Sequence, residues 1–84
     1  MKEVRIYTKP ACRNCERAKA ILEERGFAYR EINAENDGGL RCWLAYATGD
    51  FSLPQIFIGG EPVGGFRELK LLDENGELTR RVRE

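Results

Sequence analysis

The 84-residue sequence contains no histidine, only three cysteines and no excess of either charge, since 14 Lys and Arg stand against 14 Asp and Glu. A zinc site needs four ligands, and the absence of histidine with so few cysteines disfavours one. A protein with zero net charge lacks the excess of positive charge that usually binds nucleic acids or anionic membranes. We therefore expect neither kind of partner.

Long apolar runs are also missing, and none approaches the roughly 18–20 residues of a membrane span. Residues 1–5 lack the basic and apolar regions of a signal peptide. We therefore expect a cytoplasmic protein, whose cysteines are catalytic, metal-bound or buried rather than structural disulfides. The short chain predicts one small domain, which excludes a large enzyme with several sites.

The first half of the chain follows a strand–helix–strand pattern. Residues 4–7 alternate as in a strand, residues 14–25 show helical apolar spacing before Gly26, and residues 27–32 favour a second strand. This length is typical of a βαβ unit with a right-handed crossover.

A second helix is predicted after Asn36 or Asp37, ending at Gly49 and carrying Trp43 and Leu44 on a core-facing stripe. Residues 54–58 and 61–63 predict two strands joined by a Gly-Gly hairpin turn. A third helix follows after residues 64–65, and a short helix is predicted over residues 77–84.

Cysteines in a C-x-x-C arrangement stand between the first strand and the first helix, the context that favours redox chemistry. Cys15 shares the apolar stripe of that helix and is expected to be buried, whereas Cys12 precedes the stripe and is expected to be exposed. This assigns Cys12 as nucleophile and Cys15 as resolving thiol. The helix N-terminus, Lys9 and Arg13 are expected to lower the pKa of Cys12. The alternatives are a zinc half-site and an inert buried pair.

Three further features have two interpretations each. Leu53 and Pro54 are either a simple strand start or, with a cis peptide, a backbone edge on which an extended substrate could pair. Residues 64–65 form either a tight turn or a site for a substrate carboxylate at the third helix. Cys42 lies off the apolar stripe of its helix. It is either a partly covered thiol without a function or an auxiliary thiol that is open to oxidation.

Taken together, these motifs make the sequence resemble the glutaredoxins over nearly its whole length. The resemblance is carried by residues 7–10 (YTKP) before the cysteine pair, and by residues 53–60 (LPQIFIGG), 63–66 (VGGF) and 75–78 (NGEL). It implies one glutaredoxin domain over residues 1–84. The implied fold is α/β and thioredoxin-like, a four-stranded mixed sheet flanked by helices in the order β-α-β-α-β-β-α with a short C-terminal helix, and with Pro54 cis.

The same resemblance implies a glutathione-dependent thiol–disulfide oxidoreductase, active in electron transport and cell redox homeostasis, that reduces protein disulfides and glutathione mixed disulfides. Glutathione would be the electron donor, with no tightly bound cofactor, no metal and a monomeric chain. Cys12 and Cys15 would be catalytic. Arg41 or Gln55 could add a glutathione contact to the main set, which is Lys9, Arg13, Leu53, Pro54, Gly65 and Phe66.

Two departures from the family pattern support alternative functions. Arg13-Asn14 replaces the common Pro-Tyr, and Arg67 stands where many glutaredoxins have an acid. The Gly-Phe-Arg segment is similar to glutaredoxin-like redoxins that thioredoxin reductase reduces and that donate electrons to ribonucleotide reductase. The missing proline at Arg13 also resembles glutaredoxins in which two chains carry a glutathione-ligated [2Fe-2S] cluster.

Overall fold

The computed structural model describes residues 1–84, which form four strands and four helices. The elements in chain order are β1 (Val4–Thr8), α1 (Arg13–Glu24), β2 (Arg30–Asn33), α2 (Gly38–Thr48), β3 (Gln55–Ile58), β4 (Glu61–Gly64), α3 (Phe66–Glu74) and α4 (Glu77–Arg83). This order matches the one expected from the sequence. None of the helices is both long enough and apolar enough to cross a bilayer.

The strands form one mixed sheet in the order β2-β1-β3-β4. β1 runs parallel to β2 through the α1 crossover, and β3 is antiparallel to both β1 and β4. The β3–β4 turn uses Gly59 at φ 58° and Gly60 at φ 84°, values that a two-residue turn with two left-handed positions requires. The thioredoxin-like α/β fold is confirmed.

Strand alternation divides the core into two layers, one on each face of the sheet. α1, α3 and α4 cover the larger layer, and α2 covers the smaller one. The larger cluster consists of Val4, Ile6, Ala18, Leu22, Phe27, Ile56, Ile58, Leu69, Leu78 and Val82. The smaller cluster consists of Tyr7, Ala34, Leu44 and Phe57.

The second strand begins three residues later than predicted. Phe27 is buried in the larger core layer, and its N–H donates to Leu22 O at 2.9 Å. The chain after α1 is therefore still packing against the helix at Phe27, and pairing with β1 begins only where Arg30 lies opposite Arg5. The sequence composition alone does not show whether an aromatic residue such as Phe27 belongs to a strand or packs in the core before the strand begins.

The prediction that Trp43 lies in the core is wrong. Leu44 is buried, but Trp43 is 48% exposed. The indole stacks on the Phe57 ring with centroids 5.6 Å apart. Trp43 thus covers a sheet face that α2 leaves partly open, with one side of its ring in solvent.

Candidate functional site: the Cys12–Cys15 pair

The cysteine pair stands where β1 passes into α1. Cys12 is the N-cap of α1, with φ −110° and ψ 107°, and its Sγ accepts a hydrogen bond from Cys15 N–H at 3.1 Å. The two residues form a disulfide with their Cα atoms 5.2 Å apart, within the usual range for such a bond. In the reduced protein the same N–H and the helix dipole favour the thiolate form of Cys12.

The two sulfurs differ in their surroundings. Cys15 is fully buried, as predicted from its stripe with Ala18 and Leu22. The prediction that Cys12 is exposed is wrong for this disulfide form, in which Cys12 is 8% exposed. Its side chain folds onto the first turn of α1, and Leu53 O lies 4.0 Å from its Sγ.

The cations expected beside Cys12 are both at the surface. Lys9 lies in the loop after β1 and lines a shallow cleft of about 350 Å³ with Glu16 and Glu31. Arg13 is the first residue of α1 and is exposed. Neither makes an ion pair or a side-chain hydrogen bond, so both are available to a substrate anion.

Leu53 and Pro54 form the second wall of the site, and the peptide bond between them is cis. Side chains hold this loop through hydrogen bonds to the backbone carbonyls of the two residues before Leu53. The Arg41 guanidinium donates to Phe51 O at 3.0 Å, and Gln55 Nε2 donates to Ser52 O at 2.9 Å. Arg41 and Gln55 therefore support the backbone of this loop, in addition to any substrate contact they make.

The third wall is the start of α3. A side chain at Gly65 would place its Cβ 3.3 Å from Pro54 O, so glycine allows α3 to approach the cis-proline loop. Gly65 N–H, expected to bind a substrate carboxylate, already donates to Glu68 Oε1 at 2.7 Å. Sequence reasoning missed Glu68, although an acid three residues after an N-cap is the usual capping signal.

Phe66, the first residue of α3, is half-buried beside this corner. The Arg17 guanidinium lies over its ring, 5.8 Å from the centroid. Arg17 was not singled out by the sequence, because a contact between residues 49 positions apart leaves no local pattern. The structure thus brings together Cys12, Cys15, the cis-proline loop and the start of α3.

A family model supplies the observation that decides the identity of this arrangement. The glutaredoxin model matches residues 4–63, which include the cysteine pair and the cis-proline loop. The chain belongs to the glutaredoxin family. Glutaredoxin 3 of Escherichia coli K12 is 37% identical over 78 residues, covering 93% of this chain and 94% of its own length.

Solved glutaredoxin structures agree with this assignment. The solution structure of the Brucella melitensis glutaredoxin has a TM-score of 0.87 at 38% identity, covering all of this chain and 94% of its own. A buckwheat glutaredoxin, crystallised as a complex with glutathione, has a TM-score of 0.91 over 98% of this chain and 77% of its own. At 24% identity, the buckwheat structure supports the fold alone.

This glutaredoxin is accordingly a thiol–disulfide oxidoreductase with a redox-active cysteine pair. The relatives bear out the activity, and the structure shows that Cys12 and Cys15 can close a disulfide. Cys42 takes no part in the pair. It is exposed on α2, so the prediction of a partly covered thiol is wrong for this residue.

An ionic network of the glutaredoxin lies beside the active-site loop. Thr8 Oγ1 donates to Glu31 Oε2 at 2.8 Å, and Lys19 Nζ lies 3.1 Å from the same oxygen. These contacts, the Thr8 hydrogen bond first, hold the pKa of Glu31 below its ordinary value. The network joins Thr8 at the end of β1 and Lys19 of α1 to Glu31 of β2, and so connects the two elements on either side of the loop that leads to Cys12.

Proposed function

We propose that this glutaredoxin uses glutathione to reduce protein disulfides and glutathione mixed disulfides. The observation that carries the proposal is the disulfide-forming pair, in which Cys12 is the cap of α1 and lies 4.0 Å from Leu53 O, while Cys15 is fully buried on the helix. Such a pair suits an attacking thiol and a resolving thiol. Membership of the glutaredoxin family supports glutathione as the electron donor.

In the first step, the Cys12 thiolate attacks one sulfur of the substrate disulfide. A bond forms between that sulfur and Cys12 Sγ, and the other substrate sulfur leaves as a thiolate. The Cys15 thiolate then attacks Cys12 Sγ, releases the bound substrate sulfur and closes the internal disulfide. Two electrons have passed to the substrate, and two glutathione molecules restore the dithiol as they are oxidised to glutathione disulfide.

The walls of the site supply the proposed substrate contacts. The backbone of Leu53 pairs with the extended substrate, because its carbonyl lies 4.0 Å from Cys12 Sγ. Lys9 and Arg13 receive one glutathione carboxylate, and the N–H of Phe66 receives the γ-glutamyl carboxylate. Pro54 and Gly65 set the distance between these contacts.

The test follows NADPH oxidation with a small disulfide acceptor, glutathione and glutathione reductase. We expect Cys12→Ser to abolish turnover. We expect Cys15→Ser to keep part of the activity on a glutathionylated peptide, because a second glutathione can attack the Cys12 mixed disulfide directly. Cys42→Ser serves as the matched control and should behave as the parent. An active Cys12→Ser protein would overturn the assignment.

A second candidate is a redoxin reduced by thioredoxin reductase, and the position of Glu68 favours it. Its carboxylate binds Gly65 N–H, so a γ-glutamyl carboxylate arriving at the start of α3 meets a like charge. Glu68→Gln keeps a hydrogen-bond acceptor and removes the charge, and should lower the KM for glutathione. Turnover with thioredoxin reductase alone, and none with glutathione, would select this candidate over the first.

A further inference from the structure

Some of the positively charged side chains of this electrically neutral protein form ion pairs, and others do not. Of its 14 Lys and Arg, those in ion pairs are Arg5, Lys19, Arg25, Arg30, Arg80 and Arg81. Besides Lys2, Lys9, Arg41 and Arg83, four exposed cations have no acidic partner, and these are Arg13, Arg17, Arg67 and Lys70. All four belong to α1 or α3, the two helices that border the active site.

Two of these cations flank a groove between α1 and α3. The groove has a volume of about 440 Å³ and is lined by Arg17 and Lys70 together with the apolar surfaces of Ala20, Ile21 and Phe66. Asp73 and Glu74 line it one turn further along α3. Arg17 and Lys70 lie toward Phe66, whereas Asp73, which is paired with Arg25 at 2.7 Å, and the unpaired Glu74 lie at the other end. The end of the groove nearest Phe66 is therefore the more positive one.

The positive end of the groove reaches Phe66, the first residue of α3, which borders the active-site walls. Arg17 lies over the Phe66 ring, and Phe66 follows Gly65, where an added Cβ would lie 3.3 Å from Pro54 O. On α1, Arg13 stands one turn before Arg17 and therefore on the same face, immediately after Cys12. A chain leaving Cys12 toward α3 thus passes from Arg13 to Arg17 and Lys70.

We propose that this groove docks the acidic flank of the protein segment whose disulfide Cys12 reduces. Carboxylates of the segment pair with Arg17 and Lys70, and an apolar side chain rests on Phe66 and Ile21. The inference rests on the proposed function and specifies the protein substrates as disulfides flanked by acidic residues. Long-range attraction of this kind acts mainly on the rate of encounter.

The test uses three disulfide peptides of equal length, with Glu, Gln or Lys at the same positions beside the cysteine, and a small uncharged disulfide as reference. We expect kcat/KM for the Glu peptide to exceed that for the Lys peptide by about tenfold at low salt. The ratio should fall toward one as salt shortens the screening length from about 10 Å at 0.1 M to about 3 Å at 1 M.

The decisive variant is Arg17→Glu with Lys70→Glu, which should reverse the preference when the pre-reduced protein reduces each peptide in a single turnover without glutathione. Arg17→Gln with Lys70→Gln should abolish the preference without reversing it. The matched control, Lys2→Glu with Arg83→Glu, changes the net charge equally at two exposed residues and should keep the parent's preference.

Equal rates on the three peptides, or a preference that survives Arg17→Glu with Lys70→Glu, would overturn the docking groove and leave the proposed function standing. Failure of the parent to reduce the uncharged reference with glutathione would overturn the proposed function and the inference together. The two kinds of failure are therefore distinguishable in one set of assays.

Discussion

At the scale of single residues, the proposed nucleophile Cys12 is also a structural cap. Serine, threonine, aspartate and asparagine usually fill the N-cap because a side-chain acceptor satisfies a free N–H of the first turn. Here Cys12 Sγ takes that place and accepts from Cys15 N–H. The same sulfur therefore has two roles. It caps α1, and it occupies the position at which a helix N-terminus stabilises a negative charge.

The different surroundings of the three cysteines give a first prediction. In the folded, oxidised protein only Cys42 should react with a thiol reagent, because Cys12 and Cys15 are disulfide-bonded. After reduction in denaturant, three thiols should react. Thiol counts with an alkylating reagent and mass spectrometry test both numbers. Cys42→Ser is the control, and any labelling of its folded, oxidised form would contradict the placement of the pair.

Ala11, directly before Cys12, has φ 53°, in the left-handed region that L-residues with branched side chains avoid. Ala11→Val should therefore lower the free energy of unfolding by about 1–2 kcal/mol. Ala11→Gly is the matched control. It relieves the backbone but loosens the unfolded chain, so it should stay within about 0.5 kcal/mol of the parent. Urea unfolding measures both, and a fully stable Ala11→Val protein would refute the strain.

The reacting residues were predictable because their signal is local. A C-x-x-C pair between a strand and a helix identifies itself by spacing, and burial of Cys15 follows from the helical stripe. Burial of Cys12 was not predictable, since it depends on Leu53, 41 positions away. The same reason applies to Arg17, whose contact with Phe66 is formed only when α1 and α3 pack together.

At the scale of the elements, the network that joins β1, β2 and α1 through Thr8, Glu31 and Lys19 predicts a pH dependence. The pKa of Glu31 is lower in the folded protein than its ordinary value of 4.5, first because Thr8 donates to it and then because of Lys19. A lowered folded pKa contributes stability above the unfolded pKa, and the contribution is lost as pH falls through the folded pKa.

Glu31→Gln should therefore reduce the free energy of unfolding at neutral pH and match the parent once the pH lies below the folded pKa. Because Glu31 is partly exposed, the difference at neutral pH is expected to be small. Urea unfolding from about pH 7 to about pH 3 spans the ordinary carboxyl range and measures it. Glu35→Gln, at an exposed acid without an ion pair, is the control. A gap that persists at acid pH would show that the charge of Glu31 is not its cause.

Element types were predictable throughout, and the errors fall at boundaries and faces. The end of α2 at Gly49 follows from a left-handed residue at φ 77°, which glycine signals clearly. The start of β2 and the exposure of Trp43 were not predictable. Both features depend on how far neighbouring helices and strands cover these residues in the fold. The periodicity of apolar residues along the chain does not give that information.

At the scale of the whole molecule, the two faces of the sheet are unequally covered. One face has three helices and a buried cluster of ten residues, and the other has α2 and a cluster of four. α2 buries only Leu44, and it is connected at its C-terminal side to the loop that presents Leu53. The layer that supports the cis-proline loop is therefore the one with less apolar surface to stabilise it.

This asymmetry predicts that the α2 layer opens locally before the rest of the molecule. Amide hydrogens of α2 should exchange about tenfold faster than those of α1, because local opening of a small layer costs less than global unfolding. Hydrogen exchange followed by mass spectrometry tests this on the unmodified protein. Leu44→Ala should accelerate exchange in α2 alone, whereas Leu22→Ala, in the larger cluster, should accelerate it in both helices. Equal protection of α1 and α2 in the parent would mean that the fold opens only as a single unit.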